Sequence, residues 1–187
     1  NPLWFSGLTI LIVVSLIFIL QTLSKKSLLT LKPYLGLGIP SYHMFYTYLI
    51  ISLIGLDFKK ILPLHMCDLT LILIVINFLR PQQILFDISY FWGTFGILCS
   101  FLAPKISFPQ FYLHYFIFHG LLLFGILWNV FINRQKPKKL SFIKILLGSL
   151  IVIPTIGSLN QMIGSNYMFL KDPPNFSNLP SSHYLLL

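Results

Sequence analysis

The sequence contains no glutamate, and its acids are four aspartates, Asp57, Asp68, Asp87 and Asp172. Charged residues make up 9% of the 187, against roughly a quarter in ordinary soluble domains. So little charge cannot cover a globular surface, which argues against a water-soluble domain. Cysteine is scarce too: Cys67 and Cys99 both fall inside apolar runs, without the spacing of a metal pair or a disulfide framework. No metal and no cofactor are expected. No internal repeat is found, and a signal peptide is not expected: the first apolar run is too long, has no positive charge before it and shows no clear cleavage site.

What the chain has instead is apolar length. Hydrophobic residues are 56% of the total and mean hydropathy is +0.83. A spanning helix needs about 20 mostly apolar residues. Five runs meet or approach that length: 3–23, 62–79, 84–103, 109–132 and 141–163. A sixth helix is expected over 34–56, kinked or re-entrant where Gly36, Gly38 and Pro40 interrupt its start. The expected fold is all-α, a polytopic transmembrane bundle forming one domain over 1–187. The chain opens at Asn1 without methionine and stops inside Tyr184–Leu187, which reads as a seventh helix missing or only begun.

Thirteen lysines and arginines give a formal charge of +9. They sit in short connectors between apolar runs, a placement that suits anionic headgroups rather than nucleic acid. The first, third and fifth connectors carry Lys25, Lys26, Lys32, Arg80, Arg134, Lys136, Lys138 and Lys139. The opposite side carries Lys59, Lys60, Lys105 and Lys171, while Lys144 lies just inside the sixth helix. Eight against four places the odd connectors in the cytoplasm and the N-terminus outside. The expected setting is the cell membrane, with lipids as partners and no nucleic acid; oligomeric state is not legible.

Ionisable groups inside a membrane helix are costly and usually face a bundle interior. His65 and Asp68, three residues apart, are expected on one face. Cys67 falls near the opposite side of that helix, a poor position for a Cys–His pair. His114 and His119 are turned about 140° apart, so both are not expected at one centre. Asn160, Gln161, Ser165, Asn166 and Tyr167 end the sixth helix on the same side of the membrane. Together these residues predict a polar pocket in the outer half of the bundle. Catalytic candidates are His65, Asp68 and His119; substrate-binding candidates are Asn160, Gln161, Asn166 and Tyr167. His43, on the interrupted second helix, is left out of the set. A purely structural role, in which His65 and Asp68 tie helices together by hydrogen bonds, weighs about as much. Asp87 is read as neutralising Arg80 or capping its helix, and Gly93 and Gly96 as a close-packing face.

Four stretches carry a family resemblance. Leu62-Pro63-Leu64-His65-Met66-Cys67-Asp68-Leu69 resembles the L-P-L-H-x-C-D-L signature of bacterial YwaF-like integral membrane proteins. Leu85 to Gly93 resembles their next signature, with Asp87 where glutamate is usual. Phe116 to Gly120 is similar to their S-H-G element, with Phe118 in place of serine, and Gly164 to Leu170 to their G-[ST]-N-Y-x-x-L segment. The resemblance covers Leu62 to Pro174 and implies one helix more than this chain holds. More distantly, His65 and His119 are similar to histidines of the transmembrane protein 164 group, regarded as acyltransferases that remodel phospholipids. In that group a cysteine directly precedes the motif histidine; Leu64 stands there in this chain, so the nucleophile does not carry over.

Three functions follow as expectations. The first is a lipid-modifying enzyme with His65 as general base oriented by Asp68, and His119 as second base or oxyanion donor. The second is a small-solute or proton-coupled transporter, in which buried Asp and His mark an ion relay. The third is a non-catalytic scaffold.

Overall fold

In hydrocarbon, backbone N–H and C=O groups find partners only in one another, and uninterrupted apolar segments therefore become helices. The computed structural model describes residues 2–102 and 112–172. They form α1 (Pro2–Gln21), α2 (Lys25–Ile54), the one-turn α3 (Phe58–Ile61), α4 (Met66–Leu79), α5 (Gln83–Leu102), α6 (Tyr112–Leu127) and α7 (Ser141–Ile163). A π-helical turn, Trp128–Ile132, continues α6, and a 3-10 turn, Tyr167–Phe169, follows α7. Among the described residues there is no strand. The chain is thus an all-α bundle. The expected helix start at Pro109, and any seventh span, lie outside the described residues.

Among the described residues, four helices are long and apolar enough to cross a membrane: α1, α5, α6 with its π turn, and α7. Two of the six expected spans differ from their sequence pattern. The first is α2, which begins at Lys25 rather than residue 34, behind the Ser24 side chain that accepts the Ser27 N–H. It runs through Pro33 and Pro40 without a break. Proline is tolerated inside a membrane helix because neighbouring elements resatisfy the freed carbonyls. The second is α4, which has 14 residues and is therefore about 21 Å long, short of the roughly 30 Å hydrocarbon layer. Residues 62–65 before it are not helical. Pro63 biases Leu62 away from the helical region, and Leu62 is extended, with φ −66° and ψ 139°.

Short connectors make successive helices antiparallel. One end of the bundle therefore gathers the segment 55–65 and the C-terminus of α7. The other carries the cluster from Arg134 to Lys139. Helices α4, α5 and α6 form the centre, and α2 lies against α4. Their close approach rests on glycine. A Cβ on Gly93 of α5 would lie 2.6 Å from Ile126 of α6 and 2.8 Å from Thr70 of α4, and one on Gly125 of α6 would lie 2.5 Å from Ile74. Helix α7 stands more loosely at the edge, touching mainly α5. At the basic end the Ser141 hydroxyl bonds to Asp87, which also accepts from Gln83 at 2.8 Å. Asp87 therefore fastens α7 to α5 rather than pairing with Arg80 or capping α5, because its position, a full turn into the helix, faces α7.

Candidate functional site

Asp68 occupies the third position of α4, and its carboxylate reaches back toward the backbone N–H of His65, the residue that precedes the helix. His65 itself is not on the helix, so the spacing expected to align its ring with Asp68 does not apply. Its Nδ1 instead accepts the backbone N–H of Met168 at 3.3 Å, and its ring lies against Tyr167 and Phe169. The imidazole that faces the Asp68 carboxylate belongs to His43 on α2, with Nε2 at 3.6 Å from Oδ1. The orientation of His65 by Asp68 is thereby corrected: the partner is His43.

His43 stands within a stack of rings. Phe118 of α6 lies at 4.8 Å and 25°, and His114 of α6 at 6.5 Å and 19°. His114 stacks on Tyr46 at 4.0 Å and shares a hydrogen bond of 3.1 Å with the Tyr42 hydroxyl. The side chains of His43 and Asp68 are 23% and 16% exposed, so both are reachable from outside the protein. The His43 Nδ1 atom, however, is buried and has no hydrogen-bond partner among the described residues.

His119 lies one residue beyond Phe118 and is buried. Its Nδ1 bonds to the Tyr115 carbonyl at 2.7 Å. A carbonyl only accepts, so Nδ1 carries the hydrogen and Nε2 is the free lone pair of the neutral ring. Its other neighbours are Phe101 and Phe118. His114 and His119 thus have different surroundings, and Phe118 touches both. The Cys67 thiol is turned toward Ser100 and Gly96 of α5.

The residues expected to bind substrate have other partners. Asn160 is buried, and its amide donates to the Tyr167 carbonyl at 2.9 Å while its oxygen accepts from the Ser165 hydroxyl and the Tyr167 N–H. Asn166 accepts the N–H groups of Lys171 and Asp172 and donates to the Asp172 carbonyl. The Tyr167 hydroxyl donates to the Phe58 carbonyl at 2.5 Å and accepts the Leu62 N–H at 2.9 Å. Burial raises the Tyr167 hydroxyl above the ordinary phenol value, which keeps it a donor. Gln161 is exposed on the outer side of α7. The cluster is a clasp: it ties α7 to the α3 segment and supplies partners to non-helical backbone at the edge of the hydrocarbon. What sequence reasoning left out is His43, which only the packing of α2 on α4 brings to Asp68.

Comparison with known proteins gives the family. An uncharacterised protein of Treponema pallidum (strain Nichols) is 26% identical over 123 residues, covering 64% of this chain and 51% of that protein. The chain thus spans about half the length of the curated relative it matches. No solved structure matches. The TMEM164 family profile, by contrast, matches residues 2–186, nearly from end to end, and this helix bundle is a member of the TMEM164 family.

Proposed function

We propose that the protein is a membrane-embedded enzyme that transfers or hydrolyses lipid acyl groups, with His43 as general base and Asp68 as the group that orients it. One observation carries the reading. Asp68 faces Nε2 of His43, and the other ring nitrogen, Nδ1, is buried without a hydrogen-bond partner among the described residues. A carboxylate on one side of an imidazole selects the tautomer whose opposite nitrogen is basic. The 3.6 Å separation is too long for a direct hydrogen bond, and such contacts commonly tighten only when substrate is bound.

In this scheme Nδ1 of His43 takes the proton of a lipid or water hydroxyl as its oxygen bonds to the ester carbonyl carbon. Collapse of the tetrahedral intermediate breaks the original ester bond, and the departing alkoxide recovers the proton from His43. His65 suits the oxyanion better than the base role: its Nδ1 already accepts from Met168, which leaves Nε2–H as a donor. His119 remains a second base through Nε2. The resemblance to the transmembrane protein 164 group supports the acyl chemistry, and the motifs from Leu62 to Pro174 support placement in its bacterial YwaF-like branch.

Lysolipid release and acyl transfer by protein in vesicles test the reading. His43→Asn and Asp68→Asn are expected to lower turnover about 10²–10⁴-fold, the usual contribution of a positioned base, with melting in detergent unchanged. Undiminished turnover in both variants rejects it. Transport is the second reading, favoured by the ring series Tyr42, His114, His43, Asp68; proton flux lost in Asp68→Asn, with no lipid turned over, would establish it.

A further inference from the structure

At the end of the bundle opposite the candidate site, the connector from the π turn to α7 carries Arg134, Lys136, Lys138 and Lys139, and Lys144 stands one turn into α7. All five are exposed, and none has an ion pair among the described residues. The sequence holds four acids, and three stand elsewhere: Asp57 caps α3, Asp68 is in the first turn of α4, and Asp172 follows the 3-10 turn. The fourth, Asp87, is at this end but buried, and it is taken up by Gln83 and Ser141. This face is therefore positive, with no carboxylate left to neutralise it.

A connector of such composition is ordinarily a solvated segment whose charges spread apart. Here its backbone is held. Asn77, wholly buried on α4, donates to the Gln135 side chain at 3.0 Å and accepts the Gln82 N–H at 2.7 Å. The Gln135 N–H reaches the Asn129 carbonyl at 3.0 Å, Gln83 donates to the Lys136 carbonyl at 2.9 Å, and the Ser141 N–H donates to the Lys138 carbonyl at 3.0 Å. Side chains of α4 and α5 thus fix the stretch that bears the cations. Like charges that cannot move apart repel one another, and a bound anion relieves that repulsion.

The apolar neighbours decide which anion. Leu140, Phe142 and Ile143 are 64%, 55% and 53% exposed and alternate with Lys138, Lys139 and Lys144 along the chain. Helix α7 has 23 residues and is about 35 Å long, enough to cross the roughly 30 Å hydrocarbon layer with its first turn at the boundary. Apolar side chains there meet acyl chains, while the lysine stems carry their ammonium groups out to the headgroups. Free phosphate would meet the cations alone; a lipid with a net negative headgroup meets both.

We propose that this connector is a binding surface for anionic phospholipid, held in its binding shape by Asn77 and Gln83. The inference is independent of the acyl chemistry at the other end.

The test uses the full chain in nanodiscs of phosphatidylcholine mixed with phosphatidylglycerol, whose two leaflets are alike, so that orientation has no bearing. Native mass spectrometry reads how much of each lipid is retained, and phosphatidylglycerol is expected to be favoured. A cation near an anionic surface contributes about fivefold, so Arg134→Gln combined with Lys136→Gln is expected to lower that preference by at least about tenfold. Lys25→Gln combined with Lys26→Gln, which removes charge from the exposed start of α2 at the same end, is expected to change it little. Asn77→Ala keeps every charge and frees the connector, and it is expected to lower the preference several-fold. Gln83→Ala does the same at a less buried position, should Asn77→Ala melt early in phosphatidylcholine alone. An equal loss in the Lys25 and Lys26 pair shows a general effect of charge and overturns the proposal. So does an unchanged preference in folded Asn77→Ala or Gln83→Ala, or displacement of phosphatidylglycerol by millimolar inorganic phosphate.

Discussion

At the scale of the residue, a carboxylate in a membrane bundle needs neighbours in place of the water it has lost. Asp68 has two, the His65 backbone N–H and the His43 ring. That an aspartate and histidines would face inward was legible from the cost of exposing them to lipid. Which histidine meets which carboxylate was not, because His43 and Asp68 lie on different helices and their meeting depends on the rotation of α2 about its own axis. The same limit applies to Asn160, whose amide looks like a ligand for substrate in the sequence but is engaged by Ser165 and Tyr167. Asn160→Ala would leave buried backbone groups of Tyr167 unpaired, at about 1–3 kcal/mol each. Melting in detergent should fall clearly for Asn160→Ala and hardly at all for Gln161→Ala, which is exposed. Equal shifts in the two would refute the clasp.

Among the elements, apolar runs located α1, α5 and α7 well, because length and hydropathy suffice for a helix that satisfies its own backbone. They failed at α2 and α4, where the determinants are local. Two prolines did not stop α2, whereas Pro63 delayed the start of α4 to Met66. The non-helical segment so created depends on the clasp, and the clasp depends on a neutral His65, since Nδ1 accepts the Met168 N–H. Protonation turns that acceptor into a donor facing a donor. The folded state thus disfavours the proton, and its stability falls as pH drops through the imidazole range near 6.5. Melting measured from pH 7 to 5 should decline less steeply in His65→Gln than in the unaltered chain. Identical slopes would show that His65 does not titrate against the clasp. Packing in the centre is tested separately by Gly125→Ala, whose Cβ meets the branched side chain of Ile74. Overpacking of this kind costs about 1–3 kcal/mol, and pairing it with Ile74→Val should restore part of the loss.

For the whole molecule, the distribution of lysine and arginine decides which leaflet the candidate site addresses. Eight cations on the odd connectors against four on the other side favour odd connectors in the cytoplasm, which would set His43, His65 and Asp68 in the outer half of the membrane. The bias is concentrated in one place, since Lys136, Lys138 and Lys139 supply three of the eight. A cation near an anionic leaflet is worth about 1 kcal/mol, so replacing those three with glutamine leaves five against four and should yield a mixed population of orientations. In intact cells, a membrane-impermeant thiol reagent should label cysteine placed at Lys60 and not at Lys138 of the unaltered chain. In the glutamine variant it should also reach a cysteine placed at Leu140 in part of the molecules. Labelling at Lys138 in the unaltered chain would invert the topology, and with it the leaflet from which a lipid approaches Asp68.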